Sequence, residues 1–187
     1  MAIDTSKVDA LINAPGQCII NSSLESLVEL ISYLSSCGFE QLVDIFGIDY
    51  LEREKRIEVV YLLLDLKSNR RCCVKVCVDP VSEKVPTCCG VFSVANWFER
   101  EVYDMYGVVF ESHPDLRRIL TDYGFEGFPM LKDFPLTGYK EVRYDLESKE
   151  VVYEKVDLSQ DYRSFDSLTP WEGVVGHLSL PLDEKKE

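Results

Sequence analysis

The sequence predicts an α+β fold, with a small mixed or antiparallel sheet flanked by helices and a long extended C-terminal docking segment. Three observations carry this. Apolar residues recur at helical spacing over 24–34 and again over 98–109. Three runs rich in β-branched and aromatic residues, 39–51, 56–66 and 71–79, read as strands. Regular periodicity then stops after Glu111. The expected division is an α+β core domain over 1–110 and, over 111–187, an extended aromatic-rich segment and tail.

Taken in order, Asp4 to Asn13 reads as a short helix ending before Pro15-Gly16, and 17–20 as a brief strand. Ser22 and Glu25 have capping-box spacing, after which Leu24, Leu27, Val28, Ile31 and Leu34 mark a helix that Gly38 ends. The short polar run 67–70 closes the second and third strands into an antiparallel hairpin. In the third strand Cys72, Val74, Val76 and Val78 share one face, while Cys73, Lys75 and Cys77 share a half-polar outward face. Asp79-Pro80 breaks that strand.

A second helix is expected from about residues 93–96, with Asn96 and Glu99 as an N-terminal pair. Phe98, Val102, Met105, Tyr106 and Val109 form its core-facing stripe, and Glu99, Arg100 and Asp104 lie off it. Beyond it, Gly124, Gly127, Pro129, Pro135 and Gly138 punctuate a stretch carrying Tyr123, Phe125, Phe128, Phe134 and Tyr139. Five large aromatics without a regular period need burial on something, either this chain's own domain or a partner. Residues 140–187 read as an extended tail.

At 187 residues the chain is long enough for one core that stays folded without disulfides or metal. Its 33 acidic against 20 basic side chains give a net charge of −13, which argues against a phosphate-binding surface and so against nucleic acid. The apolar run 59–64 stops at Asp65, far short of the ~20 residues a bilayer crossing needs, so membrane association is expected only through partners. The N-terminal residues have neither a secretory signal's apolar core nor a transit peptide's Arg-rich character, and the chain is expected to act where it is made. Seven cysteines then read as reduced thiols.

The cysteines contain no CxxC pair, and neighbours on a strand point to opposite faces, so a zinc or cluster site is not the expectation; small buried hydrophobes are. Glu99 and Glu101, two apart on a helix, diverge too far to flank one substrate bond. Arg100 and Asp104 have the spacing of a solvated helical ion pair. With only His113 and His177, a histidine triad or multi-histidine metal site is nearly excluded. Arg117-Arg118 is a basic doublet in an acidic half, either ion-paired within the chain or facing an acidic partner. No GxGxxG or GxxxxGK[ST] follows a strand. The residues thus describe an α+β domain without catalytic equipment of its own.

The segment EREVYDMYGVVFESHPDLRRIL, 99–120, resembles the signature of the 30 kDa subunit family of proton-pumping NADH:ubiquinone oxidoreductase, respiratory complex I, whose mitochondrially encoded members are called NADH dehydrogenase subunit 9. Glu99, Arg100, Glu101, Asp104, Met105, Tyr106, His113, Arg117, Ile119 and Leu120 fall on the pattern. The similarity continues through LTDYGFEGFPMLKDFPLTGYKEVRYD at 120–145 and resumes in QDYRSFDSLTPWE at 160–172; over 1–98 it is one of element order only. Where many members read GHPLRKDFPL, Phe128 and Leu131 stand in place of a histidine and an arginine.

The resemblance implies a non-catalytic structural subunit of the hydrophilic arm that packs on the quinone-site subunit and on cluster-bearing neighbours. The residues carried over as family signature or subunit interface are Glu99, Arg100, Glu101, Asp104, His113, Arg117, Arg118, Lys132, Asp133, Phe134, Pro135, Arg143, Tyr144 and Asp145. It implies that this chain binds no cofactor, while the parent complex holds NADH, FMN, iron–sulfur clusters and ubiquinone. It places the chain on the matrix side of the mitochondrial inner membrane or, alternatively, on the cytoplasmic side of a bacterial membrane. The competing readings are the equivalent subunit of a membrane-bound hydrogenase-type complex and a freestanding metal or thiol protein using Cys72, Cys73, Cys77, Cys88 and Cys89.

Overall fold

The computed structural model describes residues 4–13 and 18–160. The expected stop at Pro15-Gly16, the patch 160–172 beyond its first residue, His177 and the acidic end lie outside the described residues. The described chain falls into two units that divide between Tyr139 and Lys140.

The first unit is built on a four-stranded mixed sheet. Its strands are β1 (Cys18–Asn21), β2 (Gln41–Asp49), β3 (Ile57–Asp65) and β4 (Arg70–Val78), ordered β1-β4-β3-β2. β1 runs parallel to β4, and the other two ladders are antiparallel. The β3–β4 hairpin forms as its polar connection predicts. Asp65 caps the turn by accepting the Lys67 and Ser68 amides, and Asn69 takes the left-handed conformation (φ 53°) that asparagine tolerates. In β4 Cys72, Val74, Val76 and Val78 are buried as expected and Lys75 and Cys77 are half-buried, but Cys73, expected on the outward face with them, is buried. Lys75 reaches Glu58 at 3.0 Å.

β2 holds a register shift between Leu42 and Asp44. That bulge exposes Val43 and moves the buried phase from even to odd positions, so Ile45, Gly47 and Asp49 face inward. A strict two-residue alternation read from Leu42 would have sent Asp49 outward.

Three helices accompany the sheet: α1 (Thr5–Asn13), α2 (Leu27–Ser36) and α3 (Ala95–Tyr106). α2 buries Leu27, Leu30, Ile31 and Leu34 and ends at Gly38, whose φ of 103° only glycine adopts cheaply. The Ser22–Glu25 capping box does not form. Ser22, Ser23 and Ser26 bond one another, and the helix begins at Leu27. α3 starts at Ala95, one residue before the expected cap Asn96, and stops at Tyr106 against Gly107 (φ 81°), so Val109 is not on it. Ala95 and Val102 are buried and Phe98 and Tyr106 pack on the core. Tyr106 lies so close to β2 that an ideal Cβ on Gly47 would fall 2.6 Å from its ring. Beside these elements, β5 (Val85–Pro86) and β6 (Phe110–Glu111) form a two-residue parallel ladder.

The second unit corrects the expected extended tail. Lys140–Asp145 (β7) and Glu150–Lys155 (β8) pair as an antiparallel hairpin. Lys149 turns the chain at φ 58°, and Asp145 accepts the Ser148 amide.

Candidate functional site

The residues singled out by sequence converge on helix α3 and the strand-free segment that follows it, but not as solvated groups. Glu99 and Asp104 are 0% exposed and Arg100 is 6% exposed. The expectation that these three lie off the packed face and that Arg100 pairs with Asp104 is corrected. Backbone groups of 117–121 meet Arg100 and Asp104, while Glu99 is met by Thr87 and Cys88 from the loop before the helix.

Asp104 is the centre of this attachment. Oδ2 accepts the amides of Ile119, Leu120 and Thr121 at 3.0, 2.7 and 2.9 Å, while Oδ1 accepts the Thr121 hydroxyl at 2.5 Å and Arg118 Nη1 at 2.8 Å. Burial opposes the charge, yet the Thr121 hydroxyl, these amides and the Arg118 guanidinium hold the carboxyl well below the usual range. One aspartate therefore fixes three consecutive backbone amides of a segment that has no strand or helix to pair them.

Arg100 donates to the carbonyls of Arg117 and Arg118 at 3.1 and 3.2 Å. The doublet is thus split. Arg118 is part of the fold, donating also to the Gly127 carbonyl and lying over the Phe128 ring at 5.2 Å, whereas the Arg117 side chain is exposed and meets Asp115 at 2.8 Å. Glu101 is exposed on the far side of α3.

The KDFP stretch is fastened at a second point. Asp49 accepts Arg56 Nε at 2.6 Å and Nη2 at 2.7 Å, and its Oδ2 also accepts the Lys132 amide at 2.8 Å. Arg56 then reaches Asp133 at 2.7 Å. Arg56 keeps Asp49 below the usual carboxylate range. Between these anchors the Met130 amide bonds the Met105 carbonyl, and Phe128 sits against Gly107, where an ideal Cβ would fall 2.6 Å from the ring. Phe128 and Leu131, the two departures from the family wording, accordingly make apolar contacts, Phe128 at the end of α3 and Leu131 on the core. Phe125, Phe134 and Tyr139 stack on one another, with centroids 5.9 and 5.6 Å apart, and the Pro135 carbonyl accepts the Gly138 amide in the turn between the last two. Part of the aromatic stretch thus finds burial within this chain, while Tyr123, Leu136 and Tyr139 stay exposed.

Sequence reading missed Asp49 and Arg56. The available signal was the odd-numbered phase Ile45, Gly47, Asp49, hidden by the bulge at Val43.

Glu99 and His113 form a separate cluster. Glu99 Oε1 accepts the Cys88 amide at 2.7 Å and Oε2 the Thr87 hydroxyl at 2.5 Å; His113 Nε2 stands 3.8 Å from Oε2 and donates to the Asn96 carbonyl at 3.2 Å. Burial raises the Glu99 pKa, with the Thr87 hydroxyl and the Cys88 amide opposing it.

In the second unit, Arg143 pairs with Glu154 at 2.8 Å and Asp145 caps the turn. Tyr144 stands on a face where Val142 opposes Tyr153 and Tyr144 opposes Val151, all four 56–58% exposed, with Lys140 opposite Lys155 at the edge. A two-stranded hairpin covers neither of its own faces.

Residues 20–140 match the family model for the respiratory-chain NADH dehydrogenase 30 kDa subunit. The chain belongs to that family. The C-type subunit of NADH-quinone oxidoreductase from Neorickettsia sennetsu is 89% identical over 187 residues, covering all of both chains. The same-named protein of Paramagnetospirillum magneticum is 56% identical over 177 residues, 93% of this chain and 87% of that one. A trypsin-resistant fragment of Nqo5 is structurally similar, with a TM-score of 0.53 at 34% identity over 60% of this chain and 96% of that one. A chain of an archaeal membrane-bound sulfane sulfur reductase, a respiratory membrane complex, shares the fold with a TM-score of 0.59 over 71% of this chain and 85% of that one, at 22% identity. The α+β architecture expected from sequence is thus the architecture of the 30 kDa family. No described helix is long and apolar enough to cross a membrane.

Proposed function

We propose that this chain is the structural 30 kDa-type subunit of a proton-pumping NADH:quinone oxidoreductase, holding neighbouring hydrophilic-arm subunits in fixed relation. The observation that carries this is the 89% identity over full length to a bacterial NADH-quinone oxidoreductase subunit. The geometry supports scaffolding: Asp104, Arg118, Arg100, Asp49 and Arg56 bind one segment of the chain to another. Such fixed placement matters because electron transfer and coupling tolerate little misplacement of neighbouring sites.

In this reading the partner-facing residues are Arg117, Tyr123 and Leu136 on the first unit and the Val142–Tyr144–Val151–Tyr153 face on the second. They pack against the quinone-site subunit and cluster-bearing neighbours. NADH, FMN, iron–sulfur clusters and ubiquinone belong to those other subunits. Mitochondrial placement, the expectation from compact organelle-encoded members, has no support among the relatives named above, which are bacterial. We therefore place the subunit at the cytoplasmic face of a bacterial membrane, held there by the complex.

The test is to purify the chain from its native membranes in mild detergent and identify companions by mass spectrometry while assaying quinone-dependent NADH oxidation. Flavin-, cluster- and quinone-site subunits with that activity are expected; isolation alone, or with hydrogenase-type partners, overturns the reading. Arg117→Glu should lower assembled complex on a native gel while leaving the melting temperature of the isolated chain unchanged, because its side chain pairs only with the exposed Asp115 among the described residues.

A further inference from the structure

The geometry points to a divalent transition-metal site of the zinc type formed by Cys89, Glu99 and His113. Nothing in the subunit reading requires it, and it stands on these residues alone. One ligand atom from each, the Cys89 sulfur, a Glu99 carboxylate oxygen and a His113 ring nitrogen, lie within 4.8 Å of one another.

The distances suit one ion. Tetrahedral zinc, with bonds of about 2.3 Å to sulfur and about 2.0–2.2 Å to nitrogen and oxygen, sets its ligands roughly 3.4–3.6 Å apart. Cys89 Sγ stands 3.6 Å from Glu99 Oε2, and His113 Nε2 stands 3.8 Å from the same oxygen. Small rotations would bring all three onto one centre. A thiolate, a carboxylate and a neutral imidazole carry two negative charges, which match a divalent cation and would leave the buried cluster neutral. The mixed soft, hard and intermediate donors suit zinc or cobalt, while the thiolate disfavours calcium and magnesium.

The surroundings are arranged as outer support. The Thr87 hydroxyl and the Cys88 amide orient the Glu99 carboxylate from outside the triangle. The buried Tyr61 hydroxyl is within electrostatic reach of Glu99 and of the Cys88 thiol, and among the described residues it makes no hydrogen bond of ordinary geometry. Three protein ligands leave the fourth position of a tetrahedral site to water. Cys89 is only half-buried, which gives an ion a way in.

His113 Nδ1 now accepts the Asp115 amide at 3.1 Å, so the ring proton sits on Nε2. Metal binding at Nε2 moves that proton to Nδ1, releases to solvent the thiol proton of Cys89 together with any proton held by Glu99, and gives up the Asn96 carbonyl and Asp115 amide contacts. Asp115 is exposed, and its amide can turn to water. The ion would tie the loop after β5, helix α3 and the loop after β6, adding to the β5–β6 ladder, the Glu99 bonds to Thr87 and Cys88 and the His113 bond to Asn96.

The experiment titrates reduced, metal-free full-length protein with Co2+ under anaerobic conditions. One equivalent should produce a thiolate-to-cobalt charge-transfer band and tetrahedral d–d bands, both displaced by Zn2+. The charge-transfer band should vanish in Cys89→Ser and persist in Cys72→Ser. Absence of a thiolate band at one equivalent in the unaltered protein, or its survival in Cys89→Ser, overturns the site. Alkylation mapped by mass spectrometry gives the same answer without a variant: Zn2+ should protect Cys89 selectively, and equal labelling of Cys89 with and without Zn2+ also overturns it.

Discussion

Glu99 and Asp104 are two fully buried carboxylates five residues apart on one helix, and their surroundings push them in opposite directions. Asp104 meets a guanidinium, three amides and a hydroxyl, which outweigh its desolvation and keep it charged. Among the described residues Glu99 meets one amide, one hydroxyl, a thiol and an imidazole but no guanidinium or ammonium, and desolvation dominates. Burial alone therefore does not decide the state of an acid; the number and charge of the donors facing it do. The C-terminal end of α3 is a fixed anchor for residues 118–133, while its N-terminal end is a polar cluster with capacity to spare.

The largest test removes the anchored segment. Ending the chain after Phe110 should abolish cooperative thermal unfolding, because Asp104 would lose Arg118 and the 119–121 amides and Asp49 would lose the Lys132 amide, whereas ending it after Tyr139 should keep the transition. A truncation at 110 that still melts cooperatively would break the contrast. Asp104→Ala should cost about 3–5 kcal/mol in a urea titration, since Arg118 is left partly buried without its counter-charge. Gly107→Ala comes next, at about 1–3 kcal/mol, because a Cβ there meets the Phe128 ring on a backbone with positive φ.

Protonation separates the two acids more finely. Asp104, Asp49 and Asp65 have lowered values, so their stabilisation is present above the unfolded carboxylate value of about 3.9 and is lost as pH falls below it. Melting temperature should therefore drop steeply below about pH 4, and Asp104→Asn should flatten that limb. Glu99 has the opposite sign. Its raised value means that the folded chain holds the Glu99 proton more tightly than the unfolded chain does, so stability is lost as pH rises from the unfolded carboxylate value through the folded one. Glu99→Gln, which resembles the protonated acid, should lie within about 1 kcal/mol of the native protein at low pH and gain on it as pH rises. A gap that stays flat in melts across the acidic to neutral range would show that Glu99 does not titrate differently in the folded state.

Much of the fold was legible because it rests on local patterns. Strand β4 turns Cys72, Val74, Val76 and Val78 inward as read, the β3–β4 turn sits where the polar run stands, and Gly38 ends α2. The signature residues were legible as a set through family resemblance. Their roles were not. Helical spacing places Glu99, Arg100 and Asp104 off the apolar stripe, and by composition that side reads as solvated. Only the return of 118–121 along the helix reveals a second packed face made of backbone amides, which no side-chain periodicity encodes. The tail hairpin was missed for a related reason: β7 and β8 are polar enough on one face to pass for loop.

The sequence by itself determined the helices and long strands of the first unit, the acidic balance and the family, since these depend on residue order and composition. The tertiary structure decided which charges are buried, that the Arg117-Arg118 doublet is split between surface and fold, and that Cys89, Glu99 and His113 share one place. Those outcomes depend on contacts between distant residues, such as Asp49 with Lys132 and Asp104 with Leu120. A buried charge must find its partners wherever the folded chain supplies them.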